Sequence, residues 1–167
     1  SMMKVAAIFG LKDGGLIDKP DPMPGAEFVV VKVRVAPMCT EYGAFKAGNK
    51  SECLGHEAAG EVHAVAQKCR VKPGDRVVVQ PQYGCGVCPL CLSGEHIHCQ
   101  APKHPLTATG STTGKASYAQ YLLKQDWLLT PIPDDISYEH ASMACCGLGP
   151  TFGALQQMKP AAGESLL

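Results

Sequence analysis

The sequence holds 167 residues, 46% of them hydrophobic and 18% charged, with fifteen cationic side chains balancing fifteen acidic ones. That composition supports a packed core and excludes a disordered chain, and its neutrality leaves no basic footprint for nucleic acid. No apolar run approaches the ~20 residues of a membrane-spanning helix, so no membrane partner is expected.

Lys4–Phe9 suits a first strand, and the run Asp21-Pro22-Met23-Pro24-Gly25 is a turn. Phe28–Ala36 reads FVVVKVRVA. Lys32 and Arg34 alternate there with apolar neighbours, the pattern of a half-buried strand. Gly60–Val65 and Arg76–Val79 look like two more strands, joined through the turn Lys72-Pro73-Gly74-Asp75. The segment 84–105 is rich in Cys, Gly, Pro and His and shows no periodicity, so it is a loop that needs something to hold it. Tyr118–Leu123 and Trp127–Leu129 return to strand composition. Ser137 is placed to cap a helix running through Ala141–Cys146. A second helix is expected from Thr151 to Met158, ended by Pro160 and Gly163, and Glu164–Leu167 looks like a strand just starting. Many short strands, with all helical signal late in the chain, predict a mainly β, barrel-like domain followed by a helix that leaves it.

Nine cysteines are many for this length. They imply either disulfides in an oxidising compartment or metal ligands in a reducing one. The odd count favours metal. So does an N-terminus without a basic segment and apolar core, which points to a cytoplasmic protein. The run Cys85-x2-Cys88-x2-Cys91-x7-Cys99 puts four thiols in one short loop. Four thiolates complete the tetrahedron of Zn²⁺ and leave no place for water or substrate, so the site is expected to be structural. Two disulfides and an iron–sulfur cluster are the competing readings of the same spacing. His96 and His98, within the loop, read as solvated residues.

Gly55-His56-Glu57-Ala58-Ala59-Gly60, followed by Ala66 and Cys69, matches the Gly-His-Glu signature of zinc-containing alcohol dehydrogenases. The chain thus resembles the N-terminal, GroES-like catalytic domain of zinc-dependent medium-chain dehydrogenases. Cys39 stands where that family has its first catalytic zinc ligand, and Cys146-Gly147 resembles the segment carrying the third. The resemblance implies a GroES-like β-barrel, a structural zinc on Cys85, Cys88, Cys91 and Cys99, and a catalytic zinc on Cys39, His56 and Cys146. Three protein ligands would leave one open position, where an alcohol oxygen is activated. Glu57 resembles the family's acid beside the ligands, a group that tunes the metal. The implied reaction is hydride transfer between a small alcohol or carbonyl compound and NAD or NADP.

Two departures stand out. The family follows its first ligand with x-(Ser/Thr)-Asp, the proton relay and the buttress of the histidine, whereas here the run is Cys39-Thr40-Glu41-Tyr42. Glu41 takes the relay position and Tyr42 the buttress position. Glu41 is therefore expected to act as a general base or as an extra ligand, with Tyr42 or Glu57 orienting His56. Second, no Gly-x-Gly-x-x-Gly turn follows a strand. Gly147–Gly153 has the wrong spacing and contains Pro150. The expected organisation is a catalytic domain over 1–150, with a zinc lobe at 84–105. Residues 151–167 are expected to be a connecting helix and the start of a Rossmann domain that is absent here. The dinucleotide would bind in that absent domain, so this chain alone is expected to be inactive. The full-length form is expected to be a homo-oligomer. A non-redox zinc-binding or interaction protein on the same scaffold, or a lyase or reductase of the family, is the alternative.

Overall fold

A computed structural model describes residues 1–165. Of the strand expected at Glu164–Leu167, Leu166 and Leu167 lie outside the described residues, and Glu164 and Ser165 form no regular element. The chain starts as a hairpin of β1 (Met2–Gly10) and β2 (Asp13–Pro20), paired from Met2 opposite Pro20 to Gly10 opposite Asp13 with a register shift between Ile8 and Gly10. β1 extends the expected strand. β2 was not expected, because DGGLIDKP opens on two glycines and stays largely exposed. The hairpin turns at Leu11-Lys12, with Lys12 at φ +51°, a pair that carries none of the usual glycine or asparagine turn signals.

The second sheet has five antiparallel strands: β3 (Phe28–Val35), β4 (Ala58–Ala64), β5 (Arg76–Val79), β6 (Tyr121–Gln125) and β7 (Leu129–Pro131). Their order in space is β6-β3-β4-β5-β7. The expected mainly β architecture is present, but the ladders do not close into a barrel. β6 and β7 remain the two edges, and single bridges, Val5 to Ala119 and Ile8 to Ser51, carry the hairpin against the rest.

β3 shows why the sheet holds. Successive side chains of a strand point to opposite faces. Val29 and Val31 join Val62, Val77, Val79, Leu122 and Leu129 on one face. Phe28 and Val30 join Leu123 on the other. The first half of β3 is therefore buried on both sides, and only from Lys32 onward is it half-buried as its alternation suggested. Truncating Phe28, which is fully buried, to Ala removes about 3–5 kcal/mol of stability.

Helices are short. α1 (Glu41–Ala47), α2 (Pro89–Leu92) and α3 (Pro105–Thr109) precede the region where helical signal was read. None is long enough for an amphipathic period to show in sequence. α4 (Tyr138–Ser142) starts as expected on Ser137, whose Oγ accepts from the His140 amide at 3.2 Å. It ends at Ser142, before Cys146, and turns carry the chain to α5 (Gly149–Met158), which buries no residue. Among the described residues no helix is long and apolar enough to cross a membrane.

Candidate metal centres

Two clusters of metal-ligating side chains form among the described residues: Cys85, Cys88, Cys91 and Cys99, and Cys39, His56, Glu57 and Cys146. In each, one ligand atom per residue lies within 4.8 Å of all the others.

In the lobe, Cys85 Sγ lies 3.9 Å from Cys91 Sγ, and Cys88 Sγ lies 4.0 Å from Cys99 Sγ. A tetrahedron with Zn–S bonds of about 2.3 Å has edges of about 3.8 Å, so these thiols fit one zinc ion. A disulfide needs sulfurs about 2.05 Å apart, and all nine cysteines are free. An iron–sulfur cluster would spread the four thiols over separate irons. The loop's own amides turn toward its sulfurs: Cys88 N donates to Cys85 Sγ and Cys91 N to Cys88 Sγ at 3.4 Å, and Cys85 N donates to Cys99 Sγ at 3.3 Å. Amides of Val87 and Cys88 bring the Cys85 thiol down to about 6, favouring the thiolate that binds metal.

Gly84 is required there. A Cβ at Gly84 would meet Cys91 Sγ at 2.9 Å and the Trp127 ring at 3.3 Å. The lobe is fastened at both ends. Gln125 Nε2, on β6, donates to Gly84 O at 2.9 Å, and Lys103 N donates to Tyr83 O at 2.8 Å. His96 lies edge-on to Trp127, ring centres 5.8 Å apart, so it packs where the sequence suggested a solvated residue. His98 is exposed.

The second centre is assembled from distant segments. His56 and Glu57 precede β4, and Gly55, with φ +85°, makes their approach possible. A Cβ on Gly55 would stand 2.2 Å from Ser117 Oγ. Backbone bonds Tyr118 N to Leu54 O (3.0 Å) and Ser117 N to Gly55 O (3.3 Å) lock that approach. Glu57 is only 2% exposed and accepts from the Cys146 amide at 2.9 Å, tying the turn after α4 to the start of β4. Cys146 Sγ lies 3.4 Å from His56 Nε2. Burial and the Glu57 carboxylate push the Cys146 thiol up to about 12, a charge deficit that a cation among these donors would offset.

Glu41 differs from its expected place. Its Oε1 lies 2.8 Å from His56 Nδ1, and its Oε2 accepts from the Cys39 amide at 2.8 Å and from the Tyr118 hydroxyl at 3.3 Å. Both oxygens are engaged as a buttress, and the metal-ligating cluster contains Glu57 instead of Glu41. Tyr42 is 54% exposed and lies beneath Lys46, away from the histidine. The physical reason is α1: it begins at Glu41, so its first turn directs that residue inward and the next outward. Burial alone would raise the Glu41 carboxyl. Hydrogen bonds from the Cys39 and Glu41 amides and the His56 ring outweigh it and hold the group below the usual range. With Nδ1–H donated to Glu41, Nε2 keeps its lone pair for a metal. The donor set of two sulfurs, one imidazole and one carboxylate fits zinc. Tyr118, which ties Glu41 to Pro37 O at 3.1 Å, was not anticipated, and no short-range signal marks it.

A cavity of about 620 Å³ opens beside this centre, lined at one end by Thr40, Glu41 and His56. Its size suits a small-molecule ligand.

Comparison with known proteins identifies the scaffold. The family described as alcohol dehydrogenase GroES-like domain matches residues 25–134. The uncharacterized zinc-type alcohol dehydrogenase-like protein YphC of Escherichia coli (strain K12) is 30% identical over 168 residues, covering 87% of this chain and 44% of that protein. Sorbitol dehydrogenase of Bacillus subtilis (strain 168) is 33% identical over 151 residues, covering 84% of this chain and 41% of the enzyme. The crystal structure of AibC superposes with a TM-score of 0.78 at 28% identity, over 98% of this chain and 47% of the other. The chain thus spans less than half the length of the curated relatives it matches. With a Gly-His-Glu segment held on a GroES-like scaffold and a four-thiol lobe beside it, the chain belongs to the zinc-dependent medium-chain dehydrogenase family, as its N-terminal domain.

Proposed function

We propose that this chain is the catalytic domain of a zinc-dependent alcohol or polyol dehydrogenase that uses NAD or NADP. The observation that carries the reading is the second centre. Cys39, His56 and Cys146 converge there with a buttressed histidine, next to an open cavity. Glu57, the fourth donor of the cluster, is taken up by the Cys146 amide, so Cys39, His56 and Cys146 would leave a position for substrate, whereas the lobe closes all four. A bound zinc ion would supply Lewis acidity to the substrate oxygen.

The chain's own residues do the rest. Glu41 fixes the His56 tautomer. Glu57 holds the Cys146 backbone in place. Thr40, next to Glu41 on the cavity wall, offers the hydroxyl that moves the substrate proton, because both Glu41 oxygens are already engaged. Residues 1–150 form the catalytic domain, and 151–167 lead toward a cofactor-binding domain. Nicotinamide would then be held outside this chain, so the 167-residue chain by itself gives no turnover.

The test uses the protein carrying the cofactor domain, assayed for metal-dependent reduction of NAD and NADP by a panel of alcohols and polyols. Turnover that His56→Ala and Cys146→Ser abolish, each with loss of one zinc equivalent, is the expected result. A filled centre without nicotinamide reduction across the panel would favour the non-redox reading.

A further inference from the structure

The same cavity is also lined by residues that binding an alcohol does not require. Lys124, on β6, is only 2% exposed, yet it lines the cavity with Lys115 and Ser117. Its Nζ donates to Gln82 O at 3.1 Å and sits 3.4 Å from the centre of the Tyr83 ring. A lysine ammonium carries three donors, and a buried one is ordinarily paired with a carboxylate. Among the described residues neither Lys124 nor Lys115 takes part in an ion pair. Lys103, which also lines the cavity, is engaged by Glu27. The one carboxylate lining the cavity among the described residues, Glu41, is held by His56.

Ser117 gives an independent sign. It is 2% exposed, lines the same cavity, and its Oγ has no hydrogen-bond partner. A buried hydroxyl left unpaired is destabilising unless a ligand satisfies it.

We propose that Lys124, Lys115 and Ser117 form an anion subsite, so that the substrate acted on at His56 carries a carboxylate or phosphate group. This rests on the dehydrogenase reading above and names its substrate class. The acid group would dock on the two ammonium groups and accept from Ser117 Oγ, leaving the alcohol carbon at the His56 end. Such charge-assisted bonds are stronger than neutral ones. Burial is the main influence holding the Lys124 ammonium below the ordinary lysine range, and an anion beside it would restore the charged form.

The test uses the complete, zinc-loaded protein in two arms. In the first, calorimetry follows binding of inorganic phosphate and of acetate, which separates the two sources of the anion. In the second, kcat/KM is compared for sorbitol phosphate against sorbitol and for hydroxybutanoate against butanol. At least one anion binds, and the anionic member of its pair is favoured. Lys124→Met and Lys115→Met each lower that preference by about tenfold or more. Lys124→Arg retains most of it. Lys115 is exposed, so its variant folds even if burial makes Lys124→Met unstable. Turnover of both members of each pair at equal efficiency, with neither anion binding, overturns the subsite and leaves the dehydrogenase reading standing. Anion binding abolished by Lys115→Met, with no turnover of any alcohol, upholds the subsite and removes the dehydrogenase reading.

Discussion

The two metal centres are built in opposite ways. The lobe takes all its ligands from one loop, Cys85 to Cys99, and uses that loop's own amides to direct the sulfurs. The second centre gathers Cys39, His56, Glu57 and Cys146 from three separate segments, and each needs a neighbour to hold it. Glu41 holds His56, Glu57 holds the Cys146 amide, and the strand-like contact at Leu54–Gly55 with Ser117–Tyr118 holds them all in register. A local chelate folds with its ion, because a loop of such composition has little else to bury. A dispersed centre is a product of the finished fold. Its geometry is as stable as the sheet around it.

The contrast predicts which loss unfolds what. Cys91→Ser removes the one buried ligand of the lobe. It should release one metal equivalent and destabilise the chain by about 4 kcal/mol or more, as loss of a structural metal does. The chain has one tryptophan, Trp127, and it packs on His96 and over Gly84. Its fluorescence should therefore shift to the red when the lobe opens. Metal loss from the second centre, through Cys146→Ser, should leave that emission unchanged. A red shift in both variants would mean that the two centres fold as one unit.

The second centre breaks more gradually. Glu41→Gln keeps the side-chain shape but removes the charge that fixes His56 Nδ1–H. Metal affinity at this centre should fall about 10–100-fold with the lobe still filled, measured by competition with a chelator. If affinity is unchanged but activity drops and the pH–rate profile moves, Glu41 is the general base that its sequence position first suggested. Tyr118→Phe is a smaller change of the same kind. It removes the hydroxyl bonded to Glu41 Oε2 and Pro37 O, and should cost about 1 kcal/mol in thermal unfolding, with a few-fold weaker metal binding.

What could be read from sequence follows the same division. The lobe was legible from spacing alone, because its ligands and glycines are neighbours in the chain. Zinc requires four donors at short range, and the loop writes them at intervals of a few residues. At the second centre the Gly-His-Glu segment was legible as a resemblance. Which acid supports His56 was not, because that depends on where α1 begins, and a one-residue difference decides which side chain turns inward. β3 and β5 were visible as valine-rich runs, and β4 in part as the run Gly60–Val65. β2 was hidden by its exposure and its glycines, and α1 by its seven-residue length. Lys124 fell just beyond the strand read at Tyr118–Leu123 and carried no signal of its own. Only the fold shows that β6 turns it into the cavity, where no carboxylate answers it.

The smallest effect concerns how the lobe is anchored. Lys103, at the lobe's end, pairs with Glu27 just before β3, and this hydrogen bond is the main reason the Glu27 carboxyl titrates below its usual value. A carboxyl whose folded value is depressed adds stability above its unfolded value, about 4.3 for glutamate. It loses that stability as pH falls through the lower, folded value. Glu27→Gln should therefore be less stable than the parent above about pH 5, by no more than about 1 kcal/mol for a partly exposed pair. The two should converge as the medium is acidified below the folded value. Thiol protonation strips the lobe of metal in both proteins over the same range, so the difference between them, read from paired urea titrations, isolates the ion pair. A gap that persists at low pH would show that Glu27 anchors the lobe by packing, and that the lobe's attachment, like its metal site, does not depend on charge at long range.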